Sequence, residues 1–147
     1  MISKMNYLKK FYRYLFSFIK NSDNKFIKNF FGYFIIFFVI RKFSLLIKGL
    51  VNIEKAVQIA FSFKFLEISI QPFQVKEEII KLIDLVKELK PKIILEIGTA
   101  NGGTLFLFTR IVSSKGIILS IDLPGGASSC VFDLGYSNWK IPLYHSF

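Results

Sequence analysis

Apolar and polar positions change their spacing several times along the chain, and each change predicts a different element. Plotting residues 1–20 at about 100° per residue gathers Asn6, Lys9, Lys10, Arg13, Ser17 and Lys20 into one sector. Met5, Leu8, Tyr12, Leu15, Phe16 and Ile19 fall on the other side. This predicts an amphipathic helix with a broad apolar face and a narrow basic one, of the kind that lies in a lipid interface. Asn21-Ser22-Asp23-Asn24 is expected to break it. Phe30 to Ile40 then runs without a charge, bounded by Lys28 and by Arg41-Lys42. A spanning helix takes about 20 apolar residues, so this run is short. Extending it to Ile47 would put Arg41 and Lys42 in hydrocarbon, at roughly 2.5–3.5 kcal/mol each near the centre. The long charged stretch ahead of the run and the lack of a small-residue cleavage site after it argue against a secretory signal. Three readings remain open: peripheral membrane contact, packing on the protein itself or a second subunit, and a span.

From Gln74 the pattern becomes that of a helix facing a core. Val75, Ile79, Leu82, Ile83, Val86 and Leu89 recur at helical spacing, with Glu77 and Lys81 able to pair on the wet face. The helix should stop at Lys90, because Pro91 disfavours helical geometry in the residue before it. Ile93-Ile94-Leu95 is a continuous aliphatic run, as expected of a strand buried on both faces and ending at Glu96. Gly98 to Gly103 reads as a turn, Thr104 to Val112 as an apolar helix, and Ser113 to Gly116 as a second turn. Ile117 to Ile121 reads as another buried strand. The fold class expected is α/β, a βαβ unit with parallel strands and a right-handed crossover, preceded by a basic, Phe-rich helical region.

Charge sharpens this division. The chain has 147 residues and a formal net charge of +10. Residues 1–48 hold ten Lys or Arg against one acid, Asp23, so nearly all the excess lies there. The expected organisation is a basic region over 1–50 and a nucleotide-cofactor domain over 51–147. No groove-reading motif accompanies the charge, and its aromatics sit on an apolar face, so no nucleic-acid partner is expected. An anionic membrane surface is the expected partner of 1–48. The single cysteine, Cys130, excludes an intramolecular disulfide and a multi-cysteine zinc site. It favours a cytoplasmic setting, peripheral at the inner face of the membrane. His145 is read as solvated, since a catalytic base needs a positioned partner.

The candidate chemistry lies where the first strand becomes a helix. Gly98-Thr99-Ala100-Asn101-Gly102-Gly103 lets the backbone turn sharply and a ligand approach the peptide groups. The amides opening the next helix, at the positive end of its dipole, suit an anionic ligand group. Asp122, at the end of the second strand, can accept hydrogen bonds from both hydroxyls of an adenosine ribose. Glu96 bears on which cofactor binds. A pyrophosphate at this turn would be repelled by it, whereas the ammonium and sulfonium of S-adenosylmethionine would be attracted. At an effective dielectric of about 20, an ion pair at about 4 Å is worth roughly 4 kcal/mol before desolvation. NAD stays open as the alternative, because Gly98-x-Ala100-x-x-Gly103 is a degenerate dinucleotide fingerprint.

ILEIGTANGGTLFLFTR followed by ILSIDLPGG resembles the class I S-adenosylmethionine-dependent methyltransferases. More narrowly, the chain is similar to the cephalosporin hydroxylase/rhamnosyl O-methyltransferase family from about Ile53 to the C-terminus. ISIQPFQVKEEI and WKIPLYHSF belong to that likeness. It implies that Glu96, Gly98, Ala100, Gly102 and Gly103 form the methionine-side loop and that Asp122 contacts ribose. With Thr99 and Asn101 from the same turn, these are the candidate cofactor-binding residues, and Gln74 is a further candidate for the pocket wall. The resemblance implies a seven-stranded Rossmann-like sheet, of which only the first βαβ unit is written before Phe147. The family's metal-binding acids and substrate-facing groups would come later. A divalent metal therefore stays open for the intact family enzyme, while no catalytic residue or metal ligand is assigned here; Asp133 is read as solvated. The resulting expectation is the N-terminal part of a truncated, split or partly recovered methyltransferase gene, inactive alone, for which an oligomer or a completing polypeptide stays open as a partner. The intact parent would methylate a hydroxyl of a sugar, glycolipid or other small molecule. The alternatives are an NAD-binding oxidoreductase or epimerase fragment, and a non-catalytic membrane-associated subunit.

Overall fold

The computed structural model describes residues 14, 17, 18, 21, 24–65, 68–122 and 136–147. Most of the amphipathic helix expected over 1–20, together with Cys130, Asp133 and the LPGG after Asp122, lies outside the described residues. Tyr14, Ser17, Phe18 and Asn21 are helical and exposed. Asn24 is not helical, and its side-chain oxygen accepts from the Phe26 amide at 2.9 Å, which caps the next helix.

That helix, α1 (Lys25–Ile47), is longer than the uncharged run inside it. Ile35, Ile36, Val39 and Phe43 are buried along one side, while Arg41 and Lys42 are accommodated because both are exposed. Helix α2 (Ile53–Ser62) starts where the Asn52 side chain accepts from the Lys55 amide at 2.9 Å. It buries Ala56, Val57 and Ala60, small residues that let a second helix come close. A short antiparallel pair, β1 (Lys64–Phe65) and β2 (Ile68–Ser69), follows. Helix α3 (Lys76–Leu89) ends at Lys90, which takes the left-handed conformation ahead of Pro91.

Strand β3 (Ile93–Ile97), helix α4 (Gly103–Ile111) and strand β4 (Ile117–Ile121) come next, and the two strands pair in parallel with Ile93 opposite Ile117. The described chain ends in helix α5 (Tyr136–Tyr144). Helix α4 packs against α2 and α3, and α5 packs against α1. The rings of Phe43, Phe63, Phe106 and Phe147 meet at centroid distances of 4.9–5.5 Å, joining α1 and α4 to the C-terminal residues.

One expectation fails. Neither strand is buried on both faces. Ile94 and Glu96 face the helices, but Ile93, Leu95 and Ile97 of β3 and Ile117, Leu119 and Ile121 of β4 are all more than half exposed. The described helices cover one face of the sheet. An aliphatic run has the same composition whether its second face is covered or not, so the sequence could not distinguish the two cases.

Candidate functional site

The turn between β3 and α4 is built from three left-handed residues, Gly98 (φ 85°), Ala100 (φ 49°) and Gly102 (φ 87°). The Gly98 amide donates to the Ile121 carbonyl at 2.8 Å, so the turn leaves β3 still tied to the end of β4. The Gly102 amide then donates to the Thr99 carbonyl at 2.8 Å, and Gly102 becomes the N-cap of α4.

The candidate residues divide by what they touch. Thr99 is buried, and its hydroxyl bonds the Ser120 hydroxyl on β4. The Asn101 side chain donates to the Gln71 carbonyl at 3.1 Å. A Cβ on Gly103 would lie 2.1 Å from the Ile70 carbonyl oxygen and 2.6 Å from Pro72 Cδ, so that glycine lets the 70–72 segment seat on the helix start. On Gly102 a Cβ would meet the Tyr144 ring at 2.3 Å. These four residues build and anchor the turn. Gly98 differs, because a Cβ there would meet nothing within 4 Å. The backbone at Gly98 is open to a ligand, with Glu96 and Asp122 close by on adjacent strand ends. Gln74 is exposed, and the upstream residues that touch the turn are Ile70, Gln71 and Pro72.

Glu96 is only 8% exposed. Burial pushes its carboxyl above the ordinary value, and the nearby Asp122 carboxylate adds to the rise, while hydrogen bonds from Ser120 and Thr99 oppose it. The Ser120 hydroxyl donates to Glu96 Oε2 at 2.5 Å. A carboxylate held in this way gains from a cation beside it. Asp122 lies 3.5 Å from the Lys140 ammonium, which is 1% exposed.

Three residues without a sequence-assigned role therefore belong to the site. Ser120 is the one polar residue of Ile-Ile-Leu-Ser-Ile and stands opposite Glu96 in the strand register, so the signal was present. Lys140 and Tyr144 lie one helical turn apart on α5. One grips Asp122, and the other donates its hydroxyl to the Ala100 carbonyl at 3.1 Å. Their spacing gave no hint of this, because the partners are distant in sequence. An open groove of about 330 Å³ between α2 and α3 is lined in part by Val57, Ile80 and Ile83 and shares no residue with this turn.

The fold is a mixed α/β arrangement with a small parallel sheet, and its glycine turn and acidic strand ends sit within the stretch that a family model matches. Residues 57–127 match the family described as rhamnosyl O-methyltransferase/CmcI, which covers the chain from α2 to just beyond Asp122. The family likeness read from the sequence thus holds over those residues, and S-adenosylmethionine is the methyl donor that a methyltransferase family implies. Residues 139–147 fall outside the matched range. No match was found among curated proteins or among solved structures.

Proposed function

We propose that residues from Ile53 onward form the cofactor-binding part of a class I S-adenosylmethionine-dependent methyltransferase, whose reaction is methyl transfer to a hydroxyl oxygen of a sugar, glycolipid or other small molecule. The βαβ unit of its Rossmann-like sheet is β3, α4 and β4. The observation that carries this reading is the placement of Glu96 and Asp122 at the ends of two paired strands, next to the open backbone at Gly98.

The residues present fit the donor. S-adenosylmethionine supplies an electrophilic methyl group on a sulfonium, together with an ammonium, a carboxylate and a ribose. Glu96 holds the ammonium end by charge. The first amides of α4 have no i−4 carbonyls and receive the carboxylate. Asp122 accepts from the ribose hydroxyls. Ser120 and Thr99 orient Glu96, and Lys140 orients Asp122.

The pH dependence of binding separates this from the dinucleotide reading. Because burial raises the Glu96 pKa, a cationic ligand favours the ionised form and binds more tightly as pH rises from 4.5 through that pKa. A pyrophosphate would show the opposite trend. Calorimetric titration of the chain with S-adenosylmethionine, S-adenosylhomocysteine and NAD over this range tests it. Affinity for the first two should increase with pH, and Glu96→Gln should flatten the dependence. NAD binding that tightens as pH falls, or improves in Glu96→Gln, would refute the assignment.

A further inference from the structure

Helix α1 is apolar on both sides, and among the described residues one side packs into the core while the other stays largely exposed. Ile35, Ile36, Val39 and Phe43 pack into the core. The opposite side carries Phe26, Phe30, Tyr33, Phe34, Phe37 and Phe38, each between 39% and 76% exposed. Their rings form two neighbouring groups, with Phe26 stacked on Phe30, and Phe34 and Phe37 both edge-on to Phe38 at 4.7 and 5.6 Å. Arg41 and Lys48 follow on the same exposed side, one and nearly three turns further along. An exposed apolar patch of this size on a water-soluble surface marks a binding face.

The geometry points to an anionic membrane interface as the occupant, with α1 lying in the plane of the bilayer. Charge supplies the first reason. Residues 1–48 hold ten Lys or Arg against one acid, which attracts anionic headgroups and opposes a self-complementary contact with a second copy. The second reason is packing, which decides between lying on a membrane and crossing it. Phe30–Ile47 has a mean hydropathy of 2.0 and is long enough to span, but a third of it is buried inside the protein. The Phe43 ring lies 4.9 Å from Phe63 and 5.2 Å from Phe106, so a spanning helix would pull it out of the core. Lying in the interface keeps those contacts and inserts only the opposite face. This inference is independent of the cofactor assignment.

Flotation of the full chain with phosphatidylcholine vesicles, with and without phosphatidylserine, tests it. Binding should be strong on the anionic vesicles and weaken as salt is raised. Phe34→Glu/Phe37→Glu should lower partitioning at least tenfold. Arg41→Glu/Lys48→Glu should lower it about fivefold per residue on anionic vesicles only. All four side chains are exposed, and circular dichroism should show both variants folded. Equal partitioning of wild type and the Phe variant would overturn the proposal, as would no binding. Resistance of bound protein to alkaline carbonate would establish a span instead. A concentration-dependent dimer in sedimentation, lost in the Phe variant without any vesicle binding, would assign the face to a second copy.

Discussion

Lys140 is the most deeply buried charged side chain among the described residues, and it lies beside the acid read as the ribose acceptor. A buried pair contributes little net stability, but removing one member is costly because the other charge stays in a low-dielectric site. Asp122→Asn and Lys140→Met should each destabilise the fold, whereas the double variant should lose less than their sum. The coupling expected is about 1–3 kcal/mol by urea denaturation, and strict additivity would show that the pair is not formed in solution. Glu96 makes the opposite demand. With its pKa raised by burial, the folded chain keeps this proton over a range in which the unfolded chain has already released it. Stability is therefore fully present below the ordinary value of 4.5 and falls as pH rises through the folded pKa. Glu96→Gln keeps the shape without the charge, so its melting temperature should exceed that of wild type near neutral pH. The difference should vanish at about pH 4. A wild type as stable as Glu96→Gln at both pH values would remove burial as the dominant influence on this acid.

The glycine turn joins these residues to whole elements. Gly103 and Gly98 look alike in sequence, yet they serve different purposes. Gly103→Ala places a methyl against the Ile70 carbonyl oxygen and Pro72, both fixed in the chain entering α3. It should cost about 1–3 kcal/mol in stability, as over-packing does. Gly98→Ala meets no neighbour, but its φ of 85° is strained for alanine by roughly 1–2 kcal/mol. Its methyl would enter the space assigned to the ligand. Gly98→Ala should therefore weaken S-adenosylhomocysteine more than its loss of stability explains, and Gly103→Ala should not. Urea denaturation paired with calorimetry checks both, and equal binding losses would erase the distinction. The order strand, turn, helix, strand from Ile93 to Ile121 was legible because glycines and an aliphatic run separate those elements locally. Helix α5 carries Pro142 and lacks a clean apolar period, so neither its existence nor its grip on the site could be read ahead of the structure. The β1–β2 pair has strands of two residues each, too short to leave an alternating pattern. The 23-residue length of α1 was hidden by Arg41 and Lys42, which look like a boundary until one sees that they are exposed.

At the scale of the whole molecule, the open face of the parallel pair is the feature with the largest energetic consequence. Ile93, Leu95 and Ile97 lie beside Ile117, Leu119 and Ile121 in register, forming an aliphatic surface with no charge on it. Parallel sheets are normally covered on both faces. Apolar surface on the order of several hundred Å² left in water favours association, at about 25 cal/mol for each Å² that becomes buried. The chain by itself should therefore bind a hydrophobic dye and self-associate through this face. Leu95 and Leu119 are direct cross-strand partners, so Leu95→Glu with Leu119→Lys puts an opposite-charge pair at its centre. Since both positions are more than half exposed, the double variant should unfold within about 0.5 kcal/mol of wild type. It should also lose the share of the dye signal that this face contributes, the exposed aromatic side of α1 keeping its own, and sediment as a smaller species. A different result follows if polypeptide already covers the face in solution. The substitutions would then leave the dye signal unchanged, and they would bury two charges and cost several kcal/mol. Dye titration and sedimentation velocity on the two proteins distinguish these outcomes. Equal dye binding by the two proteins together with a large loss of stability in the variant would mean that the exposed sheet face is not the state of the chain in water.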